Sequence, residues 1–170
     1  MGHPAAAPKE QRRPRPAADE TVAAGFDPVD RRILELVQTD GRIKLSELGR
    51  RVCLSPAAVA ERVRRLEACG AITGYGAHVS PARLGYGIQA FIRVNPHGGY
   101  TFKHPRTVEL LARPEVLEAH HVVGEDCWIL KVAVTDTGHL EDVLEQTSAL
   151  GRTTTSVVLS SPVPRKPLLP

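Results

Sequence analysis

The spacing of apolar residues changes at about Pro81 of this 170-residue chain. Before it, apolar side chains recur at helical intervals, as at Val59, Val63 and Leu66. After it, segments such as residues 87–94 alternate apolar and polar side chains, which is the period of a half-buried strand. The change of period predicts a small helical domain followed by a mixed one, and a chain of this length can form both.

Signals for three helices fit into residues 27–70. The first helix begins at Asp27, which precedes a proline, and ends at Asp40. Ser46 is expected to cap a short second helix, and the third runs from Ser55 to Gly70. Three helices with a tight turn before the third predict a helix-turn-helix domain, and residues 72–79 are expected to form a short strand that leads out of it.

The second half predicts a ferredoxin-like βαββαβ order, so the predicted fold class is α+β, with a helix-turn-helix domain before the ferredoxin-like one. Its strands are expected at 87–94, 116–123, 127–134 and 153–160, with helices at 104–113 and from 136 or 137 to 150. The resulting division is a disordered arm (1–25), a helix-turn-helix domain (26–75), a linker (76–85), a ferredoxin-like domain (86–161) and a Pro-rich tail (162–170).

Composition excludes several classes of protein. No stretch approaches the roughly 18 apolar residues of a membrane span, and residues 1–24 lack the apolar segment of a secretory signal. The three cysteines are scattered and form no C-x-x-C pair, which argues against a disulfide framework or a zinc finger. The chain is therefore expected in a reducing cytoplasm, away from membranes.

Basic side chains concentrate in residues 42–65, where seven basic residues face two acidic ones, whereas residues 81–170 carry nine of each. This asymmetry favours a polyanion-binding module, and a solvated helical surface is the alternative reading. Small side chains at the start of the third helix would let it enter the major groove, where Ala57 or Ala58 can contact a thymine methyl group. Arg64 and Arg65 suit phosphates, whereas Arg62 lies nearer the core and is also placed to pair with an acid such as Asp30. The predicted DNA-contacting residues are Arg42, Ser46, Arg50, Arg51, Ser55, Ala57, Ala58, Glu61, Arg62, Arg64 and Arg65.

Several residue patterns of the first half resemble the Lrp/AsnC transcription factors. They are D-R-R-I-L at 30–34, D-G-R at 40–42, L-S-P at 54–56 and E-R-V-R-R-L-E at 61–67, followed by Gly70, Ile72 and the Gly-Tyr pair at 74–75. The Lrp/AsnC factors are the leucine-responsive, or feast/famine, regulators of bacteria and archaea, and the resemblance covers about residues 26–165. It implies double-stranded DNA as a partner, dimers that often assemble into octamers, and an amino-acid effector bound between subunits. A ferredoxin-like module also leaves one apolar sheet face uncovered, which by itself favours a homodimer.

The turn Gly124-Glu125-Asp126-Cys127 is the candidate effector site, because its amides can hold an α-carboxylate and its acids an α-ammonium group. In the family this turn corresponds to Gly-Asp-x-Asp, and Thr153 and Thr155 match a Thr-x-Thr near the last strand. Glu125 replaces the first Asp and Cys127 stands where the second is usual, while a plain polar hairpin turn is the alternative. The predicted effector-binding residues are Tyr100, Val123, Gly124, Glu125, Asp126, Cys127, Trp128, Thr153 and Thr155.

Catalysis is not expected. The only assembly that suggests a metal or thiol-histidine site consists of His104, His120, His121 and Cys127. His120 and His121 are adjacent residues of a predicted strand, so their side chains would point to opposite faces. No phosphate loop or hydrolase motif is present, so no metal or cofactor beyond the effector is expected. The predicted function is an effector-modulated, sequence-specific DNA-binding regulator. The alternatives are an effector-independent architectural DNA-binding protein and a small-molecule-binding module of a metabolic complex.

Overall fold

The chain folds as two units of different construction. The computed structural model describes residues 25–98, 100–163 and 165–168. Residues 25–76 together with 165–168 form a helical unit, and residues 77–163 form a sheet unit. The predicted arm at 1–25 lies, except for Gly25, outside the described residues.

The helical unit contains three α-helices: α1 (Pro28–Thr39), α2 (Leu45–Arg51) and α3 (Pro56–Ala68). Their apolar faces meet in one core, in which Ile33, Leu48, Val59 and Leu66 are at most 1% exposed. The three-helix arrangement predicted from the apolar spacing is therefore confirmed.

Two of the three predicted helix caps are present. The Asp27 carboxylate accepts a hydrogen bond of 2.8 Å from the Asp30 amide, and the Ser55 hydroxyl accepts one of 3.2 Å from Ala58. The prediction that Ser46 caps α2 is wrong, because α2 begins at Leu45 and its N-cap is Lys44, two residues before Ser46, without a side-chain bond. The Lys44 carbonyl already accepts from the Leu48 amide at 2.9 Å, which closes the first helical turn and includes Ser46 in the helix.

The turn between α2 and α3 depends on Gly49. The Leu54 amide donates to the Gly49 carbonyl at 2.9 Å, which brings the start of the next helix against α2. A Cβ atom at Gly49 would lie 2.6 Å from the Leu54 carbonyl oxygen, closer than real Cβ contacts come. Only glycine at this position allows the tight turn that fixes the direction of α3.

The sheet unit has the predicted order βαββαβ. Its elements are β1 (Ile88–Pro96), α4 (Pro105–Leu111), β2 (Val116–His121), β3 (Trp128–Val134), α5 (Thr137–Ser148) and β4 (Gly151–Val157). The strands form one antiparallel sheet in the spatial order β2-β3-β1-β4. This is the ferredoxin-like arrangement, so the predicted α+β fold class is confirmed.

One face of the sheet builds the core of this unit. Ala90, Ile92 and Val94 of β1 are fully buried and pack with Leu110 of α4 and Val143 of α5. Because directly paired residues of antiparallel strands share a face, the register places the side chains of Trp128 and Thr153, which both pair with Val94, on this same side.

The predicted strand at 72–79 is wrong. Within the described part of the chain, residues 72–79 belong to no sheet, and residues 73–80 are exposed. A strand is stabilised by a neighbouring strand, and none of the strands that the structure describes pairs with residues 72–79. The region ends in a 3₁₀ turn, Pro81–Leu84, before β1. Among the described residues, no helix is both long and apolar enough to cross a membrane.

Candidate DNA-binding face and effector turn

The exposed side of α3 carries the predicted DNA-contacting residues. Val59 and Leu66 are fully buried, whereas Ala57, Glu61 and Arg64 are exposed on the opposite side of the helix. The first turn has only small side chains, and the Ser55 hydroxyl is already bonded to the Ala58 amide. The α3 N-terminus can therefore approach a nucleic acid closely, with its positive end facing phosphate or base edges.

Arg62 and Arg65 are paired with a buried carboxylate. Asp30 of α1 is 1% exposed, and its two oxygens accept from Arg62 Nη1 at 2.8 Å and from Arg65 Nη2 at 2.5 Å. Arg62 Nη1 also donates to Asp27 Oδ2 at 2.6 Å. The Asp27, Asp30, Arg62 and Arg65 side chains are named the Asp30 cluster here. The predicted pairing of Arg62 with Asp30 is thus present, and Arg65 joins it, so both arginines connect α3 to α1.

The protonation states in the Asp30 cluster are set by these contacts. The pKa of Asp27 is lowered, first by the Asp30 amide that it accepts from and then by the Arg62 guanidinium. The pKa of Arg62 is raised by its hydrogen bonds to Asp27 and Asp30. These two shifts favour the ionised forms of Asp27 and Arg62, so their ion pair is maintained at neutral pH.

The other predicted cations lie on the surface, where Arg64 has an exposed partner and Arg50 and Arg51 share a half-buried one. Arg64 pairs with Glu61 one helical turn away, and Arg50 and Arg51 share Glu47 on α2. The side chains of Arg50 and Arg64 are 77% and 66% exposed. Exposed pairs of this kind are typically worth no more than about 1 kcal/mol, so a phosphate can replace the carboxylate partner. Arg42 and Ser46 are also exposed, near the start of α2.

The effector turn, residues 122–127 between β2 and β3, is held in place by β1. The Asn95 side-chain amide donates to the Glu125 carbonyl at 3.0 Å, and Arg93 Nη1 lies 3.3 Å from Asp126 Oδ2. The turn closes where Gly124 adopts a φ of +154°, a conformation that residues with a Cβ rarely adopt. The Asp126 carboxylate is 17% exposed and already has a cationic partner, whereas Glu125 is exposed to solvent.

Arg93 and Asn95 were not among the predicted site residues. They lie two apart on β1, so both side chains point to the face opposite the core. The signal that could have identified them is a pair of alternating polar residues at the end of the strand that precedes a loop. Their partners depend on the register between β1 and β3, which the sequence does not state.

The other predicted effector residues occupy different environments. Thr153 and Thr155 are half-buried and share one face of β4, as predicted, but β1 separates them from β3. Two interstrand spacings, about 10 Å, therefore separate Thr153 from the strand that follows the effector turn. The Val123 side chain is fully exposed.

The predicted aromatic residues pack inside the sheet unit. Trp128 is 3% exposed and its ring centroid lies 4.6 Å from that of Phe102, which in turn contacts His121. The Tyr100 and His104 rings are 4.5 Å apart, and Tyr100 is half-buried. Trp128 thus forms part of the core wall beneath the turn, and its ring is not presented to solvent.

The histidines do not converge on a metal. His121 contacts Phe102, whereas His120 lies 3.3 Å from Glu118 Oε2, on the other side of β2. This is the divergence expected for neighbouring strand residues. Within the ranges that the structure describes, no three His, Cys, Asp or Glu side chains are grouped to hold a metal ion.

A second charged cluster stabilises the sheet unit away from the effector turn. Glu115 is 8% exposed, and its carboxylate accepts from Arg113 Nε at 3.1 Å and lies 2.8 Å from His139 Nε2 of α5. The hydrogen bonds from Arg113, from the backbone and from His139 lower the pKa of Glu115 to about 2, against the opposing effect of burial. Arg113, Glu115 and His139 are named the Glu115 cluster here.

A helix-turn-helix unit followed by a ferredoxin-like unit defines a two-domain regulator that binds DNA through one domain and a ligand through the other. Residues 26–67 match the AsnC-type helix-turn-helix domain, and residues 89–168 match the Lrp/AsnC ligand binding domain. The chain belongs to the Lrp/AsnC family of transcriptional regulators. It is a DNA-binding transcriptional regulator and not an enzyme, so the family and the absence of catalysis predicted above are confirmed, and the metabolic-complex alternative is set aside.

Individual relatives agree with this assignment. The chain is 38% identical over 136 residues to an uncharacterized HTH-type transcriptional regulator, YezC, of Bacillus subtilis, which covers 80% of this chain and 95% of the relative. It is 37% identical over 124 residues to the leucine-responsive regulatory protein of Escherichia coli, covering 72% and 75% of the two chains. The structure is similar to a transcriptional regulator of Neisseria meningitidis in complex with L-methionine, with a TM-score of 0.78, 29% identity and coverage of 84% and 96%.

Proposed function

We propose that this regulator senses an amino acid, which binds at the effector turn between subunits and changes how paired helix-turn-helix units engage DNA. The observation that carries the proposal is the turn itself, whose backbone is fixed from β1 by Asn95 while the Glu125 carboxylate remains exposed. A relative of similar structure was solved with L-methionine bound, which supports an amino-acid ligand for this chain as well.

Glu125 is the proposed contact for the α-ammonium group of the effector. Asp126 is less suited to this role, because Arg93 lies 3.3 Å from its carboxylate and already balances its charge. Backbone amides of the turn are the proposed contacts for the α-carboxylate. Thr153 and Thr155 are too far from the turn to meet the same small ligand within one subunit, so we propose that they contribute across a contact between copies.

For DNA, we propose that α3 enters the major groove with its small first turn foremost. Ala57 and Ala58 would contact thymine methyl groups, and Glu61 would accept from a cytosine amino group. Arg64, with Arg42, Arg50 and Arg51 on neighbouring segments, would contact phosphates and position the helix. Arg62 and Arg65 act through the Asp30 cluster, by holding α3 against α1.

A homodimer is the proposed functional unit, with octamers as the larger assembly. Phe91, on the sheet face opposite the core, is 41% exposed, and a second copy would cover it. A two-fold dimer would present two α3 helices to two half-sites, as helix-turn-helix regulators commonly do. We place the protein in the cytoplasm of a bacterial or archaeal cell, where its DNA partner is found.

Thermal unfolding in the presence of each of the twenty amino acids tests the proposal. A ligand that binds only the folded protein stabilises it by RT ln(1 + [L]/Kd), about 2.7 kcal/mol at a hundredfold excess over Kd. We expect one or a few amino acids to raise Tm, Glu125→Gln to remove most of that rise, and Glu141→Gln, an exposed change on α5, to retain it. A chain that no amino acid stabilises, or a Glu125→Gln variant that responds like the parent, would contradict the effector site.

An architectural DNA-binding protein is the second candidate. It is favoured by the effector turn having only one solvent-facing carboxylate, since Asp126 is paired and Cys127 stands where the family usually has Asp. This candidate predicts tight DNA binding that none of the twenty amino acids changes.

A further inference from the structure

Carboxylates lie among the cations that we propose for phosphate contacts on the helical unit. On α2, Glu47 pairs with both Arg50 and Arg51, and on α3 Glu61 pairs with Arg64. Three of the four cations proposed to contact phosphates thus already have a carboxylate partner on their own helix. DNA does not gain the full attraction of a paired cation, because a phosphate must first compete with the carboxylate.

Glu47 is the carboxylate that pairs with two of these cations. Its Oε1 accepts a hydrogen bond of 2.7 Å from Arg51 Nε, and its Oε2 accepts from Arg50 Nη2. Each oxygen therefore has its own guanidinium partner, an arrangement that two oxygens of one phosphate can also satisfy. The Glu47 side chain is 28% exposed, whereas those of Arg50 and Arg51 are 77% and 52% exposed. These three side chains are named the Glu47 cluster here.

The Glu47 carboxylate is ionised at neutral pH. Its pKa is lowered from the ordinary value of 4.5, first by the hydrogen bond from Arg51 and then by the charge of Arg50. Glu47 also lies in the first turn of α2, where a negative charge meets the positive end of the helix. Its negative charge is therefore present whenever the protein meets DNA at neutral pH.

We propose that Glu47 occupies the place of a DNA phosphate on α2 and so lowers the affinity of the helical unit for DNA of any sequence. A phosphate that binds Arg50 and Arg51 displaces the carboxylate, and the two negative groups then remain close together. The proposal rests on the phosphate contacts that we propose for these two arginines. A low affinity for every sequence leaves discrimination to the base contacts of α3 and to the number of helical units that bind together.

The opposite role for Glu47 is to orient the two arginines for DNA. Pairs three or four residues apart on a helix restrict the rotamers of long side chains, so loss of Glu47 would then weaken the phosphate contacts. The two roles predict changes of opposite sign in DNA affinity. The direction of the change therefore decides between them.

Anisotropy of a fluorescein-labelled duplex of random sequence, titrated with the purified chain at several salt concentrations, tests the proposal. A random sequence reports the phosphate contacts without base readout. Glu47→Gln removes the charge at nearly constant side-chain shape. Glu35→Gln is the matched control, because Glu35 of α1 pairs with Arg32 three residues away and neither was predicted to contact DNA. Both variants change the net charge of the chain equally, and Tm without DNA confirms that each is folded.

We expect Glu47→Gln to bind about three- to fivefold more tightly than the parent, the change that loss of one exposed charge interaction produces. Its affinity should also depend more steeply on salt. Glu47→Ala, which cannot replace the carboxylate by a new hydrogen bond, should bind as tightly as Glu47→Gln, and Glu35→Gln should match the parent. An unchanged or lower affinity for Glu47→Gln, or an equal gain for Glu35→Gln, would overturn the proposal.

The double variant Arg50→Gln, Arg51→Gln separates this proposal from the proposed function. We expect the double variant to bind the random duplex more weakly than the parent, and the addition of Glu47→Gln to restore only part of that loss. If the double variant binds more weakly but Glu47→Gln binds no more tightly than the parent, only the role of Glu47 is refuted. If the double variant binds like the parent, the phosphate contacts of α2 are refuted, and the role of Glu47 with them.

Discussion

The two units each contain a nearly buried carboxylate, but they surround it differently. In the Asp30 cluster the partners are arginines from α3, more than thirty residues away in sequence. In the Glu115 cluster the partners are Arg113, two residues away, and His139 of α5. The first cluster joins two helices through the guanidinium groups of two arginines, whereas the second contains a carboxylate whose pKa is strongly lowered by its partners. Both units have an apolar core, and the difference teaches that the charged cluster of the helical unit joins two helices, whereas that of the sheet unit joins α5 to the residue before β2.

Removal of the Asp30 carboxylate should have the largest effect. Asp30→Ala leaves Arg62 and Arg65 without their shared partner and removes one half of the Asp27 capping box. Breaking a buried pair by deleting one member typically costs about 3–5 kcal/mol. We expect a loss of that size in the free energy of unfolding, measured by urea denaturation of the helical signal.

The matched control for Asp30→Ala is Glu61→Ala, which deletes the exposed partner of Arg64. That change should cost less than about 1 kcal/mol, as exposed pairs usually do. If the two variants were equally stable, α1 and α3 would be held together by their apolar contacts alone.

The Glu115 cluster should make the sheet unit sensitive to acid. The folded-state pKa of Glu115, about 2, lies below the ordinary value of 4.5. The contribution of the ionised Glu115 to the free energy of unfolding is therefore fully present above pH 4.5 and is lost as the pH falls from there through 2. Glu115→Gln should therefore destabilise the protein by roughly 1–3 kcal/mol at pH 6, and the difference from the parent should narrow between pH 4.5 and 3. Urea unfolding across this range measures it.

Other carboxylates also lose stabilising contacts in acid. The effect of Glu115 is therefore obtained from the difference in free energy of unfolding between each variant and the parent at the same pH. Glu145→Gln, an exposed change on α5, should run parallel to the parent at every pH. A stability gap for Glu115→Gln that stays constant from pH 6 to pH 3 would show that folding does not lower the pKa of Glu115.

Sequence reasoning succeeded where a feature depends on nearby residues. The caps Asp27 and Ser55 follow from local preferences, and helical spacing was enough to place Arg62 beside the core stripe of α3. Sequence reasoning failed where a feature depends on contacts with a distant part of the chain. In the described part of the chain no strand pairs with residues 72–79, and the contacts of Arg93 and Asn95 with the effector turn depend on strand register.

The same distinction applies within the predicted DNA-contacting residues. Arg64 and Arg65 are neighbours in sequence and were given the same role, yet only Arg65 reaches the buried Asp30. Their difference arises from the 100° rotation between successive helical residues, together with the position of α1, which a single-helix projection does not contain. The sequence pattern thus identified the exposed face of α3, but it did not distinguish Arg65, which pairs with Asp30, from Arg64, which does not.

Substitution of Arg64 is expected to have the smallest effect on stability. It tests whether Arg64 contacts DNA, in contrast to Arg62 and Arg65, which pair with Asp30. Arg64→Gln removes an exposed cation whose only described partner is the equally exposed Glu61, so unfolding should change by less than about 0.5 kcal/mol. If Arg64 contacts a phosphate, affinity should fall on every DNA sequence, and the slope of log K against log salt should decrease by about one. Arg62→Gln provides the contrast, because it should destabilise the fold and weaken DNA binding only through that loss. A salt slope unchanged by Arg64→Gln would remove this side chain from the proposed DNA contact, leaving Arg42, Arg50 and Arg51 as the cations proposed to contact phosphates.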